Sequence, residues 1–252
     1  MAAEAAGPTV GLFVTCLVDT LRPSIGLASA KLLEDAGCRV VVPDAQTCCG
    51  QPGFNNGDDR SAARIARQVI AAFEGFDYLV APSGSCIGMI RDGFAELLGD
   101  DPAWAPRQRA LASRSFEILS FLDRVCGWRP HGLRHGGSAT YHDCCSGLRQ
   151  LGIRDEPRRL LAAVDGLALL PLEGADVCCG FGGTFCMHFA DISAHIVADK
   201  TRAIRASGAE MLLAADLGCL LNMAGMLARD GAVIRCLHPV ELLAGMADEV
   251  AP

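Results

Sequence analysis

Aromatic residues are scarce in this chain, 6% of 252 residues with two Trp and two Tyr, so Ala, Val, Leu and Ile must fill its core. Positive charge is short as well. Lys and Arg number 22 against 29 Asp and Glu, a net charge of −7, and no basic stripe is present to displace the counterions of a nucleic acid. The arginine-rich stretches, Arg107 to Arg114 and Arg154 to Arg159, alternate with apolar residues and read as solvated helix faces. No apolar run approaches the ~18 residues that a membrane-crossing helix needs. Met1-Ala2-Ala3-Glu4 lacks the positive region and apolar stretch of a signal peptide, so a cytoplasmic location is expected. Neither G-x-G-x-x-G nor a Walker-type lysine occurs, which argues against a phosphate-binding loop. No carboxylate pairing or Ser/His/Asp order supports hydrolysis.

Cysteine is abundant, at thirteen residues. In a reducing compartment a set this dense points to metal binding or catalysis rather than to disulfides. Eight of the thirteen form one pattern written twice. Cys16 is followed by Cys48-Cys49-Gly50 and by Cys86 within Ser83-Gly84-Ser85-Cys86; Cys144 is followed by Cys178-Cys179-Gly180 and by Cys219 within Asp216-Leu217-Gly218-Cys219. Matching members lie 128, 130 and 133 residues apart, the signature of a duplicated unit.

The flanking segments say where these thiols sit. Residues 10–15 read as a buried strand running into Cys16, Arg39 to Pro43 as a second strand and Tyr78 to Ala81 as a third. Helical spacing at Ile25, Ala28, Leu32 and Ala36, stopped by Gly37, and at Ala62, Ile65, Val69 and Phe73 separates them. The second half repeats the order. Strands are expected at Ala139 to His142, Leu167 to Leu172, Met211 to Ala214 and Ala232 to Ile234, with helices at about 156–164 and 190–207. The prediction is α/β: two duplicated parallel-sheet, Rossmann-like halves related by a pseudo-twofold axis. The halves are residues 8–99 and 138–248, and a connecting segment, 100–137, carries a helix over roughly 115–125. Each motif cysteine falls just past the carboxyl end of a strand, where open parallel sheets build their sites. Loops converging there would gather four thiols per half.

Four thiolates at one point suit zinc or an iron–sulfur cluster. Structural zinc usually uses close C-x-x-C knuckles, and this chain contains none, so spacing favours iron–sulfur; zinc at one or both sites is the alternative. A ferredoxin-type C-x-x-C-x-x-C run is also missing. Adjacent cysteines on an extended backbone point to opposite faces, so aiming both inward needs a turn, and Gly50 and Gly180 are placed to allow it. Gly182 and Gly183 extend the second loop, whose N–H groups could donate to cluster sulfurs.

The doubled Cys … Cys-Cys-Gly … Cys pattern resembles the cysteine-rich CCG domain family. That family includes a cluster-binding component of heterodisulfide reductase and domains of glycolate oxidase and anaerobic glycerol-3-phosphate dehydrogenase. Phe13-Val14-Thr15-Cys16, Thr47 to Pro52, Pro82 to Cys86, Cys178 to Phe185 and Cys219-Leu220-Leu221-Asn222 are similar to its lactate utilization branch, over about residues 9–245. The resemblance implies an iron–sulfur electron-transfer subunit of a complex oxidising L-lactate to pyruvate, alongside two other subunits. Because this chain shows no clear arginine clamp and base for a 2-hydroxy acid, the small-molecule substrate is expected on one of those partners. The resemblance also implies Cys16, Cys48, Cys49 and Cys86 as one ligand set and Cys144, Cys178, Cys179 and Cys219 as the other. The heterodisulfide reductase component has C-x-x-C as the last element of each repeat and holds noncubane clusters with five cysteines. Here Ser83 and Asp216 take the first position of that element, which makes two four-thiolate [4Fe-4S] clusters the simpler expectation, with Ser83 or Asp216 as possible oxygen donors. Two rival readings stay open: a thiol–disulfide reductase subunit and a zinc-stabilised interaction protein.

Cys38, Cys126 and Cys236 read as small buried apolar groups. Cys145, adjoining Cys144, and Cys186, in the second glycine loop, could each substitute as a ligand or resolve a disulfide. His142 is expected to bond a cluster sulfur, to transfer a proton, or to be satisfied by local backbone. His238 looks structural, and His131 and His135 look like linker residues.

Overall fold

In the computed structural model, residues 7–249 are described, so Met1 to Glu4 lie outside the described residues. Two four-stranded, all-parallel sheets carry the chain. The first has the order β2-β1-β3-β4, from β1 (Thr9–Leu12), β2 (Arg39–Val41), β3 (Tyr78–Ala81) and β4 (Ser115–Glu117). The second has the order β6-β5-β7-β8, from β5 (Arg134–His142), β6 (Asp165–Leu170), β7 (Met211–Ala214) and β8 (Arg235–Leu237). The expected pair of duplicated parallel-sheet halves is present, and β3 and β7 fall where the sequence places them. No helix among the described residues is long and apolar enough to cross a membrane.

The chain divides into two compact units. Residues up to Pro82, with Cys86–Trp128, form one; Ser83–Ser85, with the residues from Arg129 onward, form the other. Much of the stretch expected to be a connector therefore packs into the first unit. A helix spans Ala105–Ala112, and of the helix expected over 115–125 the residues from Ile118 to Val125 are helical, while Ser115–Glu117 is a strand. Apolar spacing at Phe116, Ile118, Leu119, Phe121 and Leu122 hides the strand, and its buried polar side chains are answered locally. Ser115 Oγ donates to the Leu111 carbonyl at 2.8 Å, and the Glu117 carboxylate accepts from Ser120 N–H at 3.0 Å, capping the turn that follows. The last strand is also displaced. It is Arg235–Leu237 rather than 232–234, and Val233 is 97% exposed.

Each sheet is packed by a long helix that leads from the Cys-Cys-Gly loop toward the third strand. In the first unit Asp59–Phe73 starts on Asp58, whose carboxylate accepts from Ser61 N–H at 3.1 Å. It buries Ala62, Ala66, Val69, Ile70 and Phe73, an apolar face at helical spacing. Phe73 reaches Gly11 on β1, where a Cβ would stand 2.8 Å from the rings of Phe73 and Phe76, so only glycine lets both rings lie on the strand. The corresponding helix, Ala190–Ala206, buries Ser193, Val197, Lys200, Thr201 and Ile204. Its spacing matches, but three of its five buried residues are polar.

Gly50 (φ 83°) and Gly180 (φ 84°) are both left-handed. Their surroundings differ. A Cβ on Gly50 would meet Ile65 at 3.4 Å, whereas one on Gly180 would stand 2.8 Å from the Ser193 carbonyl. Gly50→Ala is expected to cost about 1 kcal/mol through backbone strain alone, and Gly180→Ala roughly 1 kcal/mol more through the added clash. Urea unfolding of the two variants measures the difference; equal losses would show that the loop at Gly180 relaxes freely.

Candidate metal centres

In the first unit four thiols gather at the strand ends. Cys16 begins the helix Cys16–Leu21, and its Sγ lies 3.7 Å from Cys48 Sγ. The residue before it, Thr15, is left-handed (φ 74°) and places its hydroxyl 3.4 Å from Val18 N as acceptor. It is the one non-glycine residue with positive φ among the described residues, and the strain sits next to the site. Cys48 is in hydrogen-bond contact with Cys49, and Cys49 with Cys86. Cys49 and Cys86 are buried, Cys48 half-buried and Cys16 exposed. Gly50 N–H donates to Cys48 Sγ at 3.4 Å. Donation by the Cys16 thiol, then by Cys49, with help from Gly50 N–H, pulls Cys48 down to about 2, while the same contacts push Cys16 and Cys49 up.

The second unit repeats this arrangement with a shift. Gly180 N–H donates to Cys178 Sγ at 3.3 Å, matching the first loop. The thiol that contacts Cys178 is Cys145, and it leads the causes that pull Cys178 down to about 2. Cys144 instead contacts Cys219, which also contacts Cys179. Strand register explains the exchange. Val10, Gly11 and Leu12 pair with Tyr78, Leu79 and Val80; Ala139, Thr140 and Tyr141 pair with Met211, Leu212 and Leu213. Leu12 thus corresponds to Tyr141, and counting onward Phe13 corresponds to His142, Thr15 to Cys144 and Cys16 to Cys145. Both Cys16 and Cys145 open short helices, Cys16–Leu21 and Cys145–Arg149. The sequence reading takes Cys144 as the counterpart of Cys16, and aligning the strands rather than the cysteines is the signal that separates them.

The second site therefore holds five thiols, and His142 joins them. A ring nitrogen of His142 and the sulfurs of Cys144 and Cys219 lie within 4.8 Å of one another. Burial, then the nearby Lys200 cation, pushes His142 down to about 3, so the imidazole is neutral. Its Nδ1 lies 3.1 Å from the Ala175 carbonyl, which also accepts from Asp143 N–H at 3.0 Å and Lys200 Nζ at 3.1 Å. Lys200 Nζ further donates to the Gly174 carbonyl at 2.7 Å. Asp143, buried next to the site, is held by Arg158 through two bonds of 2.8 Å, and Arg158 covers the Tyr141 ring at 5.2 Å.

Asp216 Oδ2 accepts from Ser83 Oγ at 3.0 Å and from Ser85 N–H at 3.2 Å, so the two candidate oxygen donors are bonded to each other. Gly182 and Gly183 are left-handed (φ 55° and 65°), and the Cys186 thiol donates to the Gly183 carbonyl at 3.3 Å, turned to its own loop. Cys38 and Cys126, read singly from the sequence, are in hydrogen-bond contact with each other. All thirteen cysteines are free, with no disulfide among the described residues. The two clusters of thiols are donor sets for a metal ion or an iron–sulfur group.

The cysteine-rich domain called CCG matches residues 10–91 and 139–224, one copy on each donor set. Over 94% of the chain and 97% of the relative, 46% of residues are identical to lactate utilization protein A of Exiguobacterium. Those of Geobacillus kaustophilus and Bacillus subtilis are 44% and 42% identical, each over 93% of the chain and 98% of the relative. The chain belongs to the lactate utilization protein A family. Likeness to solved structures is low: glutamate racemase of Francisella tularensis, with D-glutamate bound, aligns over 97% of this chain and 80% of its own at a TM-score of 0.35 and 11% identity.

The thiolates at Cys48 and Cys178 give a pH prediction for the metal-free protein. Because their folded values lie near 2, the thiolate form persists as pH falls, and alkylation by iodoacetamide should change less than about twofold between pH 8 and 5.5. An ordinary thiol, with a value of ~8.5, slows about tenfold per unit over that range. Peptide mapping of labelled sites reads both rates, and parallel slowing at Cys48 and Cys178 would refute the thiolate assignment.

Proposed function

We propose that the chain is the iron–sulfur electron-transfer subunit of a complex that oxidises L-lactate to pyruvate. The observation that carries this reading is the pair of thiol constellations, of four and of five sulfurs, each with a glycine N–H on sulfur, in a chain of the lactate utilization protein A family. Cys16, Cys48, Cys49 and Cys86 would hold one cluster, and ligands drawn from Cys144, Cys145, Cys178, Cys179 and Cys219 the other, each of the [4Fe-4S] kind. When bound, such clusters accept and pass on one electron at a time. Oxidising lactate to pyruvate releases two electrons and two protons, so two one-electron centres suit the stoichiometry.

The chain's own residues prepare the sites for that role. Gly50 and Gly180 N–H groups neutralise part of the thiolate charge, and Lys200 adds a buried cation near Cys179 and Cys144. Cys16 is exposed, and Cys48, Cys145 and Cys178 are half-exposed, so each centre keeps an edge open for electron exchange. Met187, Phe189 and Ile192, exposed after the second loop, offer apolar surface to a partner. Lactate itself belongs on one of two partner subunits. The cavity of about 400 Å³ next to Cys16 and Cys48 presents Asp19 and Asp44, and carboxylates repel a 2-hydroxy acid anion.

Anaerobic preparation should yield about eight iron atoms and as many sulfides per chain, as two [4Fe-4S] clusters require. Cys16→Ser and Cys145→Ser should each remove close to half of that iron. Stoichiometric zinc without sulfide would overturn the reading in favour of a zinc-stabilised protein. With the partner subunits present, lactate should bleach the cluster absorbance. Lactate oxidation by the iron-loaded chain alone, with an artificial acceptor, would show that the substrate site lies here instead.

A further inference from the structure

The two centres are not copies of each other. At the positions where the first unit has Phe13, Thr15 and, on the long helix, Val69, the second has His142, Cys144 and Lys200. The last correspondence follows from the glycine turns: Gly50 packs against Ala62 and Ile65, and Gly180 against Ser193 and Ile196, so Val69 and Lys200 occupy the same helical position. Phe13 and Val69 are buried and apolar. Two polar replacements of buried apolar side chains, His142 and Lys200, both bonded to the Ala175 carbonyl, need a common cause.

His142 is 1% exposed. Its Nδ1 must donate, because its partner there, the Ala175 carbonyl, is an acceptor. That leaves the lone pair on Nε2, which is fully buried and has no hydrogen-bond partner among the described residues. Burying an unanswered acceptor is unfavourable, a penalty the first unit avoids with Phe13. A cysteine thiol could answer Nε2 in the metal-free chain. Once a metal is held, however, its cysteine ligands are thiolates without a proton to give, and the lone pair would face sulfur lone pairs. A metal ion resolves the conflict. A histidine whose Nδ1–H is anchored on a backbone carbonyl, leaving Nε2 free, is also the usual arrangement for a metal-binding imidazole.

We propose that His142 ligates a metal of the second centre through Nε2, together with Cys144 and Cys219, which makes that centre a mixed nitrogen–sulfur site while the first is all sulfur. Lys200 acts as a positioning residue. By bonding the Gly174 and Ala175 carbonyls it fixes the acceptor that sets the imidazole tautomer. A neutral imidazole in place of a thiolate lowers the negative charge on the centre and raises its reduction potential, as histidine ligation does in other iron–sulfur sites. The second centre is then the stronger electron acceptor of the two.

The proposal rests on the metal-centre reading, and its test separates the two. The full chain is prepared anaerobically with 15N-histidine, its iron and sulfide are measured, and the reduced clusters are examined by pulsed EPR. A strong 15N coupling on one of two clusters is expected, lost in His142→Phe, together with a fall in the potential of that cluster alone. Phenylalanine is the residue the first unit uses at this position, so the substitution fits the fold. Iron and sulfide at full content with no histidine coupling in the unsubstituted chain overturn the ligation and leave the iron–sulfur reading standing, a result that does not depend on the variant folding. Should no iron be taken up, that reading fails, and cobalt(II) tests the site directly. Its visible spectrum should shift in His142→Phe and stay unchanged in His195→Phe, whereas an unshifted spectrum overturns the ligation.

Discussion

Adjacent side chains on an extended backbone point to opposite sides, so two neighbouring cysteines cannot serve one site unless the chain turns between them and the next element. Everything at the strand ends depends on how this chain meets that constraint. Gly50 and Gly180 take the left-handed conformation, which reverses the backbone and swings its N–H onto the first sulfur of the pair. One residue thereby supplies both the geometry and a partial positive charge. The second cysteine of each pair, Cys49 and Cys179, is left pointing into the protein and is buried, while the first stays nearer solvent. The cysteines from the other two loops then close the site from the ends of the neighbouring strands.

Once that turn exists, the rest of each half can drift, and it has drifted in one direction. The first unit has buried apolar Phe13 and Val69 and a strained Thr15 at the positions that differ. The second surrounds its thiols with Cys144, His142, Lys200 and the Asp143–Arg158 pair. Burying a lysine costs several kcal/mol unless opposing charge is near, and the charges that favour the Lys200 cation are those of Cys179, Asp143, Asp176 and Cys144. Such a cation is worth keeping only where negative charge must be held, as a thiolate-ligated group requires.

Much of this was readable from residue order. The α/β alternation, β3 and β7, and the placement of eight thiols past strand ends follow from periodicity and from the cysteine count. What escaped did so for local reasons. β4 is three residues long and begins and ends on polar groups, so its pattern merges with the helix that follows. Cys145 was hidden by its neighbour, because both members of a Cys-Cys pair give nearly the same offset, and only the pairing of β5 with β7 tells them apart. The contact of Cys38 with Cys126 joins residues far apart in sequence with no motif between them, and no spacing rule could have found it.

Ser83 and Asp216 show how a ligand position can be turned to structure. They stand where the resemblance to the heterodisulfide reductase component would put a further thiol, and here they bond each other, with Ser85 N–H adding a second donor to the same carboxylate oxygen. Asp216 also sits at the head of the helix Leu217–Arg229, where a carboxylate is favoured by the helix dipole. A buried carboxylate with two donors and a helix end is already satisfied, and it has little to gain from a metal. The further sulfur and nitrogen near the second set of thiols instead belong to Cys144, just past the carboxyl end of β5, and to His142, at that end. A fifth thiol thus stands at the end of β5 rather than at the end of β7, with a nitrogen beside it.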